Sequence, residues 1–225
     1  MLFSALASGD KLQIVVTIVA AAFLILVSIP LHEAAHSWVA YKLGDKSQKA
    51  QGRLTLNPFV HIDPVGAFMI VLVGFGWGRP ASIDSRKFKD PKKGLAIVSL
   101  CGPLSNLLTG WLFIFIETAI VYLAPNLILL DIGKAIVIFL QICAEISIWL
   151  GVLNLLPIPM FDGFNILSAF LPPETEIKIA EKQGIISIVI IILLFAGILT
   201  KPIEFISSFV IKFFYILSAL PFKLF

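Results

Sequence analysis

Long apolar runs alternate with short polar breaks along this chain, and the run lengths define the expected elements. Residues 12–31 form the first run, supplying the ~20 apolar residues a helix needs to cross a bilayer. With a short amphipathic tail, Val39 to Leu43, the segment from Lys11 to about Tyr41 is predicted as one helix, stopped at Gly44-Asp45. It is too long for a signal peptide and ends without a small-residue cleavage site, so it reads as a retained span. Residues 52–63 lose helical periodicity. Thr55 and Leu56 suit a short strand, Asn57-Pro58 a turn and Asp63-Pro64 a second break. Val65 to Gly76 is apolar but too short to span, which suits a re-entrant or interfacial hairpin, and Gly74, Gly76 and Gly78 favour tight or extended backbone. Residues 79–93 form a polar, basic surface loop. Apolar runs return at 94–122, interrupted at Gly102-Pro103, and at 134–155, which breaks at Pro157-Ile158-Pro159. A charged loop is expected over 172–182. Two further apolar segments follow at 185–199 and 203–220, and the second, with Glu204 and Lys212, suits either a span or an interfacial position.

These elements describe an all-α multi-pass membrane protein, a helical bundle of about five to six segments with a short re-entrant or β-hairpin element near 52–80. Composition agrees: 59% of the 225 residues are hydrophobic and 14% charged, where a soluble domain has roughly 45–50% and about 25%. The length suits one transmembrane domain over residues 1–225, with a core at 12–170 and accessory apolar segments within 185–220. No basic arm or stripe supports nucleic-acid binding; the lipid bilayer is the expected surrounding. Cys101 and Cys143 both fall in apolar segments and read as small core residues. Lysine and arginine crowd residues 42–53 and 79–93 and are absent from 124–133. The positive-inside rule therefore places the first two loops in the cytosol and the third outside, in the cell membrane.

The chemistry centres on Leu31-His32-Glu33-Ala34-Ala35-His36. On a helix, residues four apart share a face, so His32 and His36 are placed to hold one divalent metal, zinc above all. Glu33, within about 100° of both, is close enough to take a proton from a water held there. The pair sits ~9–15 Å before the cytosolic end of its helix at 1.5 Å per residue, where ionisable groups are costly and usually functional. A catalytic site needs a third protein ligand. Asp162 is the foremost candidate, because it follows the cytosolic end of another inward-running helix; its other reading is the N-cap of a helix over 164–170. His61 and Asp63 are second-tier candidates, Asp63 being equally suited to the turn before Pro64. Ser99, Gly102, Asn106 and Gly110 share one narrow helix face that lets another helix approach. Asn106 there suits either an interhelical hydrogen bond or a grip on substrate or a developing oxyanion. Glu145, mid-span with Gln141 one turn earlier, is expected to be protonated or paired, and no function attaches to it.

Three tracts in this order, LHEAAHSWVAYKLGD, GPLSN and NLLPIPMFDG, resemble the site-2 protease family of intramembrane zinc metalloproteases, in particular its short branch without a PDZ domain. GRLTLNPFVHIDPVG and GWGRPASID are similar to the same branch, and the resemblance covers residues 25–170. It implies a zinc metalloendopeptidase with one Zn2+ per chain bound by His32, His36 and Asp162, and with Glu33 as the catalytic base. It implies that Asn106 and Asn154 line the cleft and position substrate, and that the element near 52–80 offers an edge to an extended substrate. The expected partner is a transmembrane protein, cut near the cytosolic side of the bilayer. Met160-Phe161 departs from the family's usual residues before the aspartate. The competing reading is a non-catalytic membrane metal-binding protein or transporter, which would need no Glu33 and would show inverted repeats or polar residues across several spans.

Overall fold

Asp10 opens the first long helix by accepting hydrogen bonds from the N–H groups of Leu12 (2.9 Å) and Gln13 (3.4 Å), donors that a helix start leaves unpaired. The structure, a computed structural model, describes residues 2–73 and 76–223. Its helices are α1 (Leu2–Ser8), α2 (Lys11–Lys42), α3 (Ser47–Ala50), α4 (Pro58–His61), α5 (Pro64–Val73), α6 (Pro91–Leu123), α7 (Asp131–Asn154), α8 (Asp162–Ser168), α9 (Pro173–Glu181), α10 (Gln183–Phe195) and α11 (Thr200–Lys223). Helices α2, α6, α7 and α11 are long and apolar enough to cross a membrane. The chain is an all-α multi-pass membrane protein.

Proline shapes two of the spans without breaking them. In α2 the turn Leu24–Ser28 widens to π geometry, with Ile29 N–H reaching back to Leu24 O. Pro30 lacks the N–H that would have bonded the carbonyl of Leu26, and the widened turn precedes it. Helix α6 runs through Pro103, so the interruption expected at Gly102-Pro103 is absent; neighbouring helices support such a proline inside a bundle. The small face read from the sequence is buried as a unit: Ser99, Gly102, Asn106 and Gly110 all lie inside. A Cβ at Gly110 would reach within 3.1 Å of the Ala144 carbonyl on α7, so glycine sets how closely α6 and α7 approach. The core beside them joins Ile114, Ile148, Val152 and Leu153 to an aromatic group in which Phe23 meets Phe113 and Phe139 edge-on, at 5.4 and 5.7 Å.

Helix α11 docks through both apolar and polar contacts. Phe222 stacks on Tyr122 at 5.4 Å. Buried Glu117 accepts from Gln141 Nε2 (2.7 Å) and Tyr215 O–H (2.6 Å), tying α6, α7 and α11 together.

Two local expectations differ. Among the described residues no strand forms near Thr55. Asn57 instead caps α4 by accepting from Phe59 N–H (3.1 Å), and its own N–H bonds Thr55 Oγ1 (3.1 Å), so local side-chain bonds turn the backbone. The segment expected to re-enter forms α5 followed by a non-helical return, and among the described residues an antiparallel bridge joins Ile62 to Gly78; Gly74 lies outside the described residues. Residues 173–181, expected as part of a charged loop, form α9. Pro173 opens it, Glu174 and Glu176 sit in its first turn and Lys178 in its last, a charge order that suits the helix dipole.

Candidate metal centre

The loop leaving α2 is tied down beside the site. Asp45 is fully buried and accepts hydrogen bonds from Ser47 N–H (3.1 Å), Gln48 Nε2 (3.0 Å), Asp84 N–H (3.0 Å) and Lys87 Nζ (3.1 Å). Burial alone would raise its pKa, but these donors favour the charged form and hold it well below the usual carboxylate range. Gly44 must be glycine here: its φ is +120°, and a Cβ would stand 2.8 Å from Lys87 O. This knot binds the end of α2 to the segment that leads into α6.

On α2, one helical turn brings His32 Nε2 and His36 Nε2 to 3.0 Å of each other. Asp162 Oδ2 lies 3.2 Å from both. Among the described residues these three are the cluster of histidine, cysteine and acidic groups with converging ligand atoms. Donors on a tetrahedral zinc at 2.0–2.1 Å stand about 3.3 Å apart, so this spacing and this chemistry fit a zinc ion. The far edges of the rings are also held. His36 Nδ1–H donates to Val98 O (2.8 Å), which leaves Nε2 as the free lone pair. Asn106 Nδ2 lies 3.1 Å from His32 Nδ1, and Asn106 Oδ1 accepts from Ser28 O–H at 3.3 Å. In the flipped amide, whose heavy atoms occupy the same positions, the oxygen would face His32, Nδ1–H would donate to it and Nε2 would be free for a metal. Helix α6 reaches the rings because residue 102 is glycine; a Cβ there would collide with both imidazoles.

Asp162 arrives by a turn. After α7 ends, Ile158 N–H bonds Leu156 O (2.8 Å) and Phe161 N–H bonds Ile158 O (3.1 Å). Met160, one of the two residues that depart from the family pattern, takes φ +96°, a conformation rare for a side chain other than glycine. Phe161 occupies the N-cap position of α8 without a side-chain cap bond, and Asp162 is the first helical residue, so the carboxylate does not cap the helix and lies against the imidazoles instead. A Cβ at Gly163 would collide with the carbonyls of Leu155 and Leu156, which keeps α8 folded against the end of α7.

Glu33, 9% exposed, lines the same cavity of about 510 Å³, and its Oε2 accepts from Ala81 N–H at 3.2 Å. Asn106 and Asn154 line the cavity too, Asn154 with its amide tied to Leu150 O at 3.0 Å. His61 and Asp63 stand outside the cluster. Fully buried His61 donates from Nε2 to Thr55 O (2.8 Å), and Asp63 accepts from Gly66 N–H (2.8 Å) at the start of α5. Asn165, which bonds Ser99 Oγ at 3.0 Å, and Gln183 also border the cavity. Sequence reading missed these two, along with Ser28. Ser28 stands one helical turn before His32, which is a signal in retrospect; Gln183 carries none.

Comparison with known proteins agrees with this geometry. The model of peptidase family M50 matches residues 129–197. The chain is 37% identical over 169 residues to "Putative zinc metalloprotease YwhC" of Bacillus subtilis, across 75% of this chain and 77% of that protein. It is 32% identical to a protein named "Putative zinc metalloprotease Rip2" in Mycolicibacterium smegmatis, across 78% of this chain and 66% of that one. It is 33% identical to the protein of the same name in Mycobacterium tuberculosis, of which it spans 64%. The chain thus spans just under two-thirds of each Rip2 protein. No solved structure matches it. Identity of 37% sustained over three-quarters of both chains, with a zinc-ready triad inside a bundle of apolar helices, places the protein: the chain belongs to peptidase family M50, the site-2 protease family of membrane zinc metalloproteases.

Proposed function

We propose that His32, His36 and Asp162 hold one zinc ion per chain and that Glu33 is the catalytic base for hydrolysis of peptide bonds in membrane-spanning substrates. The observation that carries this reading is the convergence of the two Nε2 atoms and Asp162 Oδ2 within 3.2 Å of one another, in a cavity that Glu33 also lines. Zinc bound there supplies Lewis-acid chemistry, acidifying water and polarising the peptide carbonyl. Glu33 accepts the proton of the attacking water and later gives it to the departing amine. Its Oε2 rests on Ala81 N–H, which leaves Oε1 to carry the proton. Asn106 orients His32, and Asn154 helps seat the substrate in the cleft. A helical substrate hides its peptide bonds and must open locally; the non-helical run 76–84, part of which borders the cavity, offers backbone groups to an opened segment.

The basic loops at 42–53 and 79–93 orient the protein with its cleft toward the cytosol in the cell membrane. Residues 12–170 form the catalytic core of a single domain, with the accessory segments at 185–220 on its flank. The test compares wild type with Glu33→Gln, measuring zinc content and cleavage of transmembrane-helix fragments in liposomes. The expected result is unchanged zinc with cleavage lost. A metal carrier built on the same ligands would tolerate the change, so retained cleavage removes Glu33 as base and retained metal transport favours the carrier.

A further inference from the structure

Arg53 is a buried guanidinium, 7% exposed, that spends its donors on backbone carbonyls. Nη1 donates to Val60 O (3.2 Å) and Arg79 O (3.0 Å), and Nη2 donates to Pro80 O (3.3 Å). Burial and the charge of Arg79 pull its pKa below the usual arginine value, while the Glu33 carboxylate pulls it back up. Burying a cation in this way is costly, so what it holds matters.

Of the three peptides it holds, one reaches Glu33. The C=O of Pro80 and the N–H of Ala81 belong to the same trans peptide and point in opposite directions. Arg53 grips the oxygen, and the N–H donates to Glu33 Oε2 at 3.2 Å. A cation on the carbonyl also polarises the N–H on the far side of the amide. The rest of the strip is fixed too. Arg79 N–H bonds His61 O (2.7 Å), and Gly78 bridges Ile62. A Cβ at Gly78 would stand 3.1 Å from Glu33 Cγ and 2.7 Å from Ile29 Cγ2, so the strip lies directly against α2 with Arg53 behind it.

We infer that Arg53 is a positioning residue for proteolysis, aiming the Glu33 carboxylate through the Pro80–Ala81 peptide. This rests on Glu33 being the base.

The experiment uses the full chain in liposomes with a transmembrane-helix fragment as substrate, and compares Arg53→Ala, Arg53→Lys, Ala81→Pro and the double variant. Ala81→Pro deletes the N–H itself. Arg53→Ala is expected to lower kcat by about 10- to 100-fold, as displacement of a reacting group by up to ~1 Å does, with KM within about twofold and zinc content unchanged. Arg53→Lys, which offers one donor centre in place of the planar fork, recovers part of the loss. The double variant should be no worse than the poorer single variant by more than about twofold, because both changes cut the same path. Four results would overturn the inference: an unchanged kcat in Arg53→Ala; a KM effect without a kcat effect; fully additive losses in the double variant; or loss of zinc in both Arg53 variants, which would make Arg53 a fold element. Glu33→Gln separates the two readings. If it cleaves at the wild-type rate, the base assignment fails; if it is inactive while Arg53→Ala keeps full kcat, only the role of Arg53 fails.

Discussion

Gly102→Ala adds one methyl group at the point where α6 meets the metal-binding rings. The new Cβ would stand 2.7 Å from His32 Nε2 and closer still to the His36 ring, and ordinary contact begins at 3.4 Å, so the His32 ring or the helix must yield by about 0.7 Å and the His36 contact demands more. Neither has an easy retreat. His36 is anchored to Val98 O one turn back on α6, and α6 is packed on α7 through Gly110. Metal sites hold their ligands to about 0.2 Å. A displacement several times larger should weaken zinc by about 10- to 100-fold, the range seen when a ligand loses its orienting partner, and slow cleavage by about 100-fold. The assay is competitive chelation with cleavage measured in parallel, using Gly184→Ala as control because a Cβ there meets nothing within 4 Å. Wild-type zinc retention and cleavage in Gly102→Ala would refute the claim that α6 presses on both imidazoles.

Other changes read other parts of the structure. Asn106→Leu removes the partner of His32 Nδ1 and should weaken zinc by about 10- to 100-fold; unchanged zinc affinity with impaired turnover would assign Asn106 to the substrate instead. Asp45 has a depressed folded-state pKa, so its stabilisation is present above its unfolded pKa, near 3.9, and is lost as pH falls through the lower folded value. Asp45→Asn should therefore lower the melting temperature at pH 7 and flatten its decline below about pH 4, which thermal unfolding at both pH values checks. Tyr215→Phe deletes one hydrogen bond to Glu117 and should cost about 1–3 kcal/mol in unfolding while leaving kcat unchanged, since it acts at α11 and not at the cleft.

Much of this molecule is readable from the chain because its strongest signals are local. Apolar run lengths gave α2, α6 and α7 to within a few residues, since a bilayer-length helix leaves little freedom. The His32–His36 spacing needs only α2 to be helical, and the lysine and arginine distribution puts Asp162 at the same end of the bundle as the pair. The parts that stayed hidden depend on which groups meet. Arg53 looks like one more basic loop residue until its carbonyl partners are seen. The donor to Glu33 is a backbone N–H, which no side-chain pattern announces. His61 and Asp63 have the chemistry of ligands but are occupied by Thr55 O and Gly66 N–H, bonds set by a local turn. Helix α9 was masked by its charges, which mark a loop by composition and a helix by their order.

Zinc-edge X-ray absorption on the purified protein, wild type beside Asp162→Ala, tests the central claim most directly. The account predicts a first shell of two imidazole nitrogens with oxygen at about 2.0–2.2 Å and no sulfur, and a much weaker zinc occupancy in the variant. A sulfur shell, or a spectrum and zinc content untouched by the loss of Asp162, would contradict it.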